Sequence, residues 1–111
     1  MKSLKFYTPL AKQIEAGDKW STWRLFDDKN LQAGDEVMFI NKDTGDQFGA
    51  ATLTDVQEKT LGTLTDEDWE GHEHFASEEE MYSTYRQYYS ESVGPETVVK
   101  IIQFRFQKLT K

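Results

Sequence analysis

The order of strand and helix signals along the chain is the feature that most restricts its fold. The clearest strand signal is the last one, residues 98–106, where Ile102, Phe104 and Phe106 alternate with polar side chains. Such alternation is typical of a strand with one buried face. Four further segments, 4–6, 20–26, 36–40 and 48–56, are also predicted strands; the third and fourth form a hairpin, and the fourth continues towards residue 60.

Two segments carry helix signals. Thr8 is predicted as the N-cap of the first helix, and Gly17 suits the left-handed residue that ends it. Ser77 and Glu80 have the spacing of a capping box and predict a second helix, which ends near residue 89. The helical spacing of its aromatic residues predicts that Tyr85 and Tyr88 lie on a buried face with Met81.

These elements do not repeat as regular strand–helix–strand units, which excludes a doubly wound sheet. The order predicts an α+β fold built on a small, partly closed barrel with two or three flanking helices. A chain of 111 residues can bury one modest core, so residues 1–111 are predicted to form a single domain.

Charge and composition limit the classes of function. The net charge is −7, from 20 acidic and 13 basic residues, which disfavours binding to long RNA and favours a small ligand. Cysteine is absent, so disulfides and thiolate chemistry are excluded. No apolar run approaches the roughly 20 residues of a membrane span, and the first residues lack the apolar region of a secretory signal. We therefore expect a cytoplasmic protein with no membrane partner.

The segment after Gly17 concentrates polar chemistry on a predicted strand. Lys19, Thr22 and Arg24 lie within six residues, beside Trp20. On a regular strand Thr22 and Arg24 share a face with Trp20, whereas Lys19 reaches that face only if the turn at Gly17 redirects it. Two cations and a hydroxyl suit an anionic or carbonyl-bearing ligand. The same residue types also fit a solvated strand packed beside tryptophan rings.

The pattern G-x-K-x-x-T-x-R at residues 17–24, followed by Gly34-Asp35, resembles the signature of the ASCH domain, a family of PUA-like β-barrels. The chain is similar in size and layout to one bacterial branch, the N4-acetylcytidine amidohydrolases. The resemblance implies a PUA-like barrel, a nucleoside as small-molecule substrate, hydrolysis of a linear amide, and no cofactor.

That resemblance also implies a catalytic set of a lysine, a threonine and a glutamate. The lysine corresponds to Lys19 and the threonine to Thr22, while Arg24 follows at the family's arginine position. The glutamate lies in a later region, where a one-residue insertion makes Glu73 the first choice and Glu70 the alternative.

The roles that the resemblance implies are chemically consistent. The hydroxyl of Thr22 would attack the amide carbonyl once a base takes its proton, and Lys19 would be that base. Glu73 would polarise a water or protonate the departing amine, and Arg24 or backbone N–H groups would stabilise the oxyanion. Trp20 is predicted to bind substrate by stacking on the base.

His72 and His74 lie close to these carboxylates but do not predict a metal site. They are two residues apart, lack the H-E-x-x-H spacing, and have no further histidine or cysteine to complete a ligand set. We expect no metal and interpret both histidines as surface residues near the rim of a cleft. The alternative function is an RNA-binding, or RNA-cleaving, ASCH module without amidohydrolase activity.

Overall fold

A five-stranded mixed sheet forms the body of the protein in the computed structural model, which describes residues 2–27, 29–72 and 74–108. Strands β1 and β3 are parallel, and the remaining neighbours are antiparallel, in the spatial order β1-β3-β4-β5-β2. The strands are β1 (Lys2–Phe6), β2 (Ser21–Leu25), β3 (Glu36–Asn41), β4 (Gln47–Thr60) and β5 (Val98–Lys108).

Two α-helices flank the sheet, α1 (Thr8–Ala16) and α2 (Glu78–Tyr88), and two short 3₁₀ turns cover Leu61–Thr63 and Asp66–Trp69. Helix α1 begins one residue earlier than predicted, because the carboxylate of Asp43 accepts the Thr8 N–H at 2.8 Å. Gly17 ends α1 in the left-handed conformation, with φ of +86°, as predicted. Within the described residues, neither helix is long and apolar enough to cross a membrane.

The sheet curls because its longest strands are bent. The pairing of β4 with β5 shifts register between Leu53 and Asp55, and that of β3 with β4 shifts between Phe39 and Ile40. Such irregularities bend and twist a strand locally. The result is a half-barrel in which β1 and β2, the two ends of the sheet, approach each other. The predicted α+β class and partly closed barrel are confirmed.

Side chains rather than a β-ladder join β1 to β2 and the loop that follows it, and we call this junction the seam. Arg24 Nη2 donates to the carbonyl oxygen of Lys5 at 2.9 Å, and its guanidinium lies 4.7 Å from the centroid of the Phe6 ring. Further along, Lys29 Nζ donates to the carbonyl oxygen of Ser3 at 2.6 Å. The seam therefore fixes the distance between the two end strands.

The concave face of the sheet carries an apolar core, the interior cluster. Phe39 lies at its centre, with ring centroids 4.8 Å from Phe6 and 4.9 Å from Phe104. The predicted inward alternation of β5 is confirmed. The buried members of the interior cluster are Leu4, Phe6, Ile14, Leu31, Val37, Phe39, Ala51, Leu53, Ile102 and Phe104.

The opposite face carries a second core, the outer cluster, beneath α2. Met81 and Tyr85 of α2 are buried in it, as predicted, but Tyr88 is 49% exposed, so the prediction of its burial is wrong. Tyr88 is in the last turn of α2, and its ring packs against the partly exposed ring of Tyr7. The buried members of the outer cluster are Trp23, Leu25, Leu61, Met81, Tyr85, Val93, Val99 and Ile101.

Candidate functional site

A cleft of about 180 Å³ opens at the seam, between the end strands and α2. Its wall on the side of β2 is formed by Thr22, Trp23 and Arg24. The described residues that complete it come from β1 and its junction with α1, from the hairpin after β3, and from the segment around α2: Lys5, Phe6, Tyr7, Leu10, Lys42, His72, Tyr85, Tyr88 and Tyr89.

Lys19 precedes β2 and is buried, with only 2% of its surface exposed. Its Nζ donates to the carbonyl oxygen of Ser21 at 2.6 Å, so the side chain folds back along the start of the strand. Lysine side chains are rarely buried completely, and a buried one needs polar contacts such as the one that Lys19 makes. Lys19 is therefore not a solvated lysine on the surface of a strand.

Thr22 lies in the buried wall of the cleft. Its position is fixed by the antiparallel pairing of β2 with β5, in which it lies opposite Ile102. Trp23, the next residue, also lines the cleft, and its buried Nε1–H has no hydrogen-bond partner among the described residues. Unsatisfied buried donors are uncommon and are often satisfied by a ligand or by water.

His72 is buried, at 5% exposure, so its interpretation as a surface histidine is wrong. Its ring stacks on Trp23 with centroids 4.0 Å apart, and its Nε2 lies 3.4 Å from the hydroxyl of Tyr85. The His72 ring is buried in the cleft wall because it stacks on Trp23 and lies beside Tyr85 of α2. His74, by contrast, is exposed and stacks on Trp69 at 5.6 Å.

Trp20 connects the β2 segment to the loop that carries His72. The backbone N–H groups of Trp20 and Ser21 both donate to the carbonyl oxygen of Gly71, at 2.9 and 3.0 Å. The indole ring covers Gly71 so closely that a Cβ there would come within 2.2 Å of it. Trp20 is 39% exposed and is not among the described residues that line the cleft. The geometry thus gives it a contact with the loop, and its predicted stacking on a substrate base stays a prediction.

The 3₁₀ turn before this loop is anchored to β4 by a buried carboxylate. Asp68 accepts hydrogen bonds from Lys59 Nζ at 2.8 Å and from the Thr65 N–H at 2.8 Å. Burial raises the pKa of Asp68, but the hydrogen bonds from Lys59 and Thr65 outweigh it, and the pKa lies below its ordinary value. The anchor therefore depends on an ionised carboxylate.

The structure brings together Thr22 and Arg24 in the cleft wall and buries Lys19 at the start of the same strand. Glu73, the predicted third catalytic residue, lies outside the described residues. Glu70, its alternative, is exposed. Among the residues that the structure describes, no three histidine, aspartate or glutamate side chains lie close enough to hold a metal ion.

Sequence reasoning missed several residues of the cleft. Tyr7, Lys42 and Lys5 reach it because β1 pairs with β3, which sets the β1–α1 junction beside the hairpin. Nothing in the local pattern of these residues marks them. His72 had a signal, its position between Trp69 and the predicted glutamate, but its burial depends on the stack with Trp23.

Solved structures with the same architecture are found in bacteria. Protein EF3133 from Enterococcus faecalis V583, described as a member of family-model DUF984, superposes with a TM-score of 0.82 at 12% identity over 100% of this chain and 83% of its own. The ASCH domain from Lactobacillus crispatus JV V101 gives 0.70 at 15% identity over 95% and 79%. ASCH from Zymomonas mobilis gives 0.64 at 18% identity over 93% and 65%.

These likenesses define the class of fold. The chain has a small α+β, PUA-like architecture, and its half-barrel is that of the ASCH domain. No protein-family model matches the sequence, and no curated protein is similar to it. The identities are low, so the likeness concerns the fold.

Proposed function

We propose that the protein is an amidohydrolase that removes the acyl group from a modified nucleoside of the N4-acetylcytidine type. The observation that carries this proposal is the position of Thr22 in the wall of a cleft sized for one small ligand, with the buried Lys19 three residues before it. The fold is consistent with the same proposal, because the amidohydrolases that the sequence resembles are ASCH domains and this chain has the ASCH half-barrel.

The proposed reaction has two steps. Thr22 Oγ attacks the acetyl carbonyl as Lys19 takes its proton, the C–N bond breaks, and cytidine leaves with a proton on its exocyclic nitrogen. Water then hydrolyses the threonine ester and releases acetate. Glu73 supplies the proton to the amine or orients the water.

Burial makes the pairing of a threonine with a lysine base chemically reasonable. A threonine hydroxyl is a weak nucleophile without an adjacent base. Lysine becomes such a base when its ammonium group is desolvated, and Lys19 is enclosed at the start of β2. Arg24, fixed by the carbonyl oxygen of Lys5 and by the Phe6 ring, offers a preorganised cation at the cleft wall for the oxyanion.

Turnover of N4-acetylcytidine to cytidine tests the proposal. We expect activity in the wild type, a loss of kcat/KM of about 10³-fold or more in Thr22→Val, and partial retention in Thr22→Ser. Lys19→Met and Glu73→Gln should each lose on the order of 10²-fold or more. Glu70→Gln is the matched control and should leave kcat/KM unchanged.

Circular dichroism and urea unfolding of each variant separate lost chemistry from lost folding, which matters for the buried Lys19 and Thr22. If the wild type forms no cytidine, the amidohydrolase proposal fails. If Thr22→Val stays active, the substrate is right and the nucleophile is wrong.

One observation favours the alternative, an RNA-binding or RNA-cleaving module. Phe26 is 59% exposed beside Tyr89, a residue that lines the cleft, with ring centroids 5.8 Å apart. Exposed rings can stack unpaired bases. A gel-shift series with single-stranded RNA would show a steep loss of affinity with salt if the protein binds the RNA backbone. Salt-independent weak binding together with nucleoside turnover favours the enzyme.

A further inference from the structure

The mouth of the cleft combines exposed aromatic rings with cations. The Tyr7 and Tyr88 rings pack against each other with centroids 5.8 Å apart and planes tilted by 32°, and both are at least one-third exposed. Lys42 Nζ lies 4.8 Å from the centroid of the Tyr7 ring, on the side of the hairpin. Lys5, from β1, lines the same opening. We call Lys5, Tyr7, Lys42 and Tyr88 the mouth.

The charge of this opening is opposite to that of the whole chain. The net charge is −7, yet among the described residues that line the cleft, Lys5, Arg24 and Lys42 are cationic and none is acidic. Asp43 follows Lys42, but its carboxylate is occupied by the start of α1, accepting from Thr8 Oγ1 at 2.7 Å and from the Thr8 N–H. A cationic opening on an acidic protein concentrates an anionic ligand at that point.

We infer that the mouth binds a phosphate group attached to the nucleoside whose base enters the cleft. Lys42 and Lys5 would contact the phosphate, and the exposed rings of Tyr7 and Tyr88 would pack against the sugar. This inference rests on the proposed function and extends it from a nucleoside to a nucleotide. The phosphate could belong to a free nucleoside monophosphate or to an RNA strand, and the chemistry at the mouth is the same for both.

The geometry suits one phosphate beside one base. The cleft has a volume of about 180 Å³, and Thr22, at the inner end, and Lys42, at the mouth, both line it. Arg24 also lines the cleft, but its guanidinium is held by the carbonyl oxygen of Lys5 and by the Phe6 ring, which leaves the exposed Lys5 and Lys42 as the other cations of the opening. Flexible lysines bind phosphate as point charges rather than in a fixed bidentate geometry.

Binding measurements by calorimetry test the inference without requiring turnover. In low salt we expect cytidine 5′-monophosphate to bind the wild type about 10-fold more tightly than cytidine, a difference of about 1.4 kcal/mol. The double variant Lys5→Gln/Lys42→Gln should reduce that ratio to about 1. Lys12→Gln, a change of an exposed lysine of α1 that does not line the cleft, is the matched control and should keep the ratio.

A third ligand, a short single-stranded RNA containing one cytidine, identifies the source of the phosphate. Tighter binding of the strand than of the monophosphate, lost in the double variant, supports the same phosphate site with RNA as the source. Equal affinity for cytidine and its monophosphate, no measurable binding of either, or an unchanged ratio in the double variant would overturn the inference.

Turnover of N4-acetylcytidine, measured on the same preparations, keeps the two proposals distinguishable. Turnover with equal affinities overturns the phosphate site alone. A Lys5- and Lys42-dependent preference for the monophosphate without turnover overturns the amidohydrolase alone.

Discussion

The interior and outer clusters pack on opposite faces of the same sheet but differ in chemistry. The interior cluster is built only from hydrocarbon side chains, such as Phe39 and Ile102. The outer cluster includes Trp23, Met81 and Tyr85, and His72 stacks against it. Both clusters reach the cleft: the interior cluster contributes only the hydrocarbon ring of Phe6, whereas the outer cluster adds the polar ring atoms of Trp23 and Tyr85.

The largest expected effect is on stability and comes from the interior cluster. Phe39→Ala should destabilise the protein by about 3–5 kcal/mol, because it leaves a cavity among Phe6 and Phe104. The same change at Phe75, which is only partly buried against the outer cluster, should cost clearly less. Urea unfolding measures both. Equal losses would contradict the assignment of stability chiefly to the interior face.

A smaller effect is expected where the outer cluster meets the loop of His72. Gly71→Ala should lower the free energy of unfolding by about 1–3 kcal/mol and lower turnover, since the residue has φ of +74° and a Cβ would collide with Trp20. Gly34→Ala is the matched control: its φ is +92°, but no atom lies within 4 Å of the added Cβ.

Gly34→Ala should therefore show backbone strain alone, with a smaller loss of stability and unchanged turnover. Unfolding curves and initial rates of the two variants separate strain from collision. If Gly71→Ala leaves turnover intact, the contact between Trp20 and the loop does not organise the site.

The smallest expected effect depends on pH. The pKa of Asp68 lies below its ordinary value of 3.8 in the folded protein, so the stability from its pairing with Lys59 is present above that value and is lost as pH falls through the folded pKa. Asp68→Asn should cost about 1 kcal/mol at neutral pH and less at pH near 3. Urea unfolding at both pH values measures the difference. If Asp68→Asn loses the same stability at both pH values, the anchor does not depend on an ionised Asp68.

Most of the fold follows from local patterns in the sequence. Residues close in sequence specify three features: the alternation specifies β5, Gly17 specifies the end of α1, and Ser77 with Glu80 specifies the start of α2. The burial of Tyr88 was predicted wrongly because helical spacing places residues on one face but does not show what packs against each turn of that face.

The residues of the candidate site come from segments far apart in the sequence, so only some of them could be predicted. Thr22 and Arg24 lie on one strand, so period-two geometry is enough to place them together. His72 and Lys42 enter the cleft through a ring stack and a parallel strand pairing, and both depend on tertiary structure. The burial of Lys19 likewise has no signal in the local pattern, since lysine side chains are normally exposed.

The seam has a consequence for solubility as well as for binding. Strands at the ends of a sheet carry unpaired backbone groups that can recruit other chains into aggregates. Here β1 and β2 turn those edges towards each other, and the side chains of Arg24 and Lys29 occupy carbonyl oxygens of β1. A full ladder would protect the edges equally well but would leave no opening. Bridging with long cationic side chains occupies carbonyl oxygens of β1 and keeps the cleft open between the two strands.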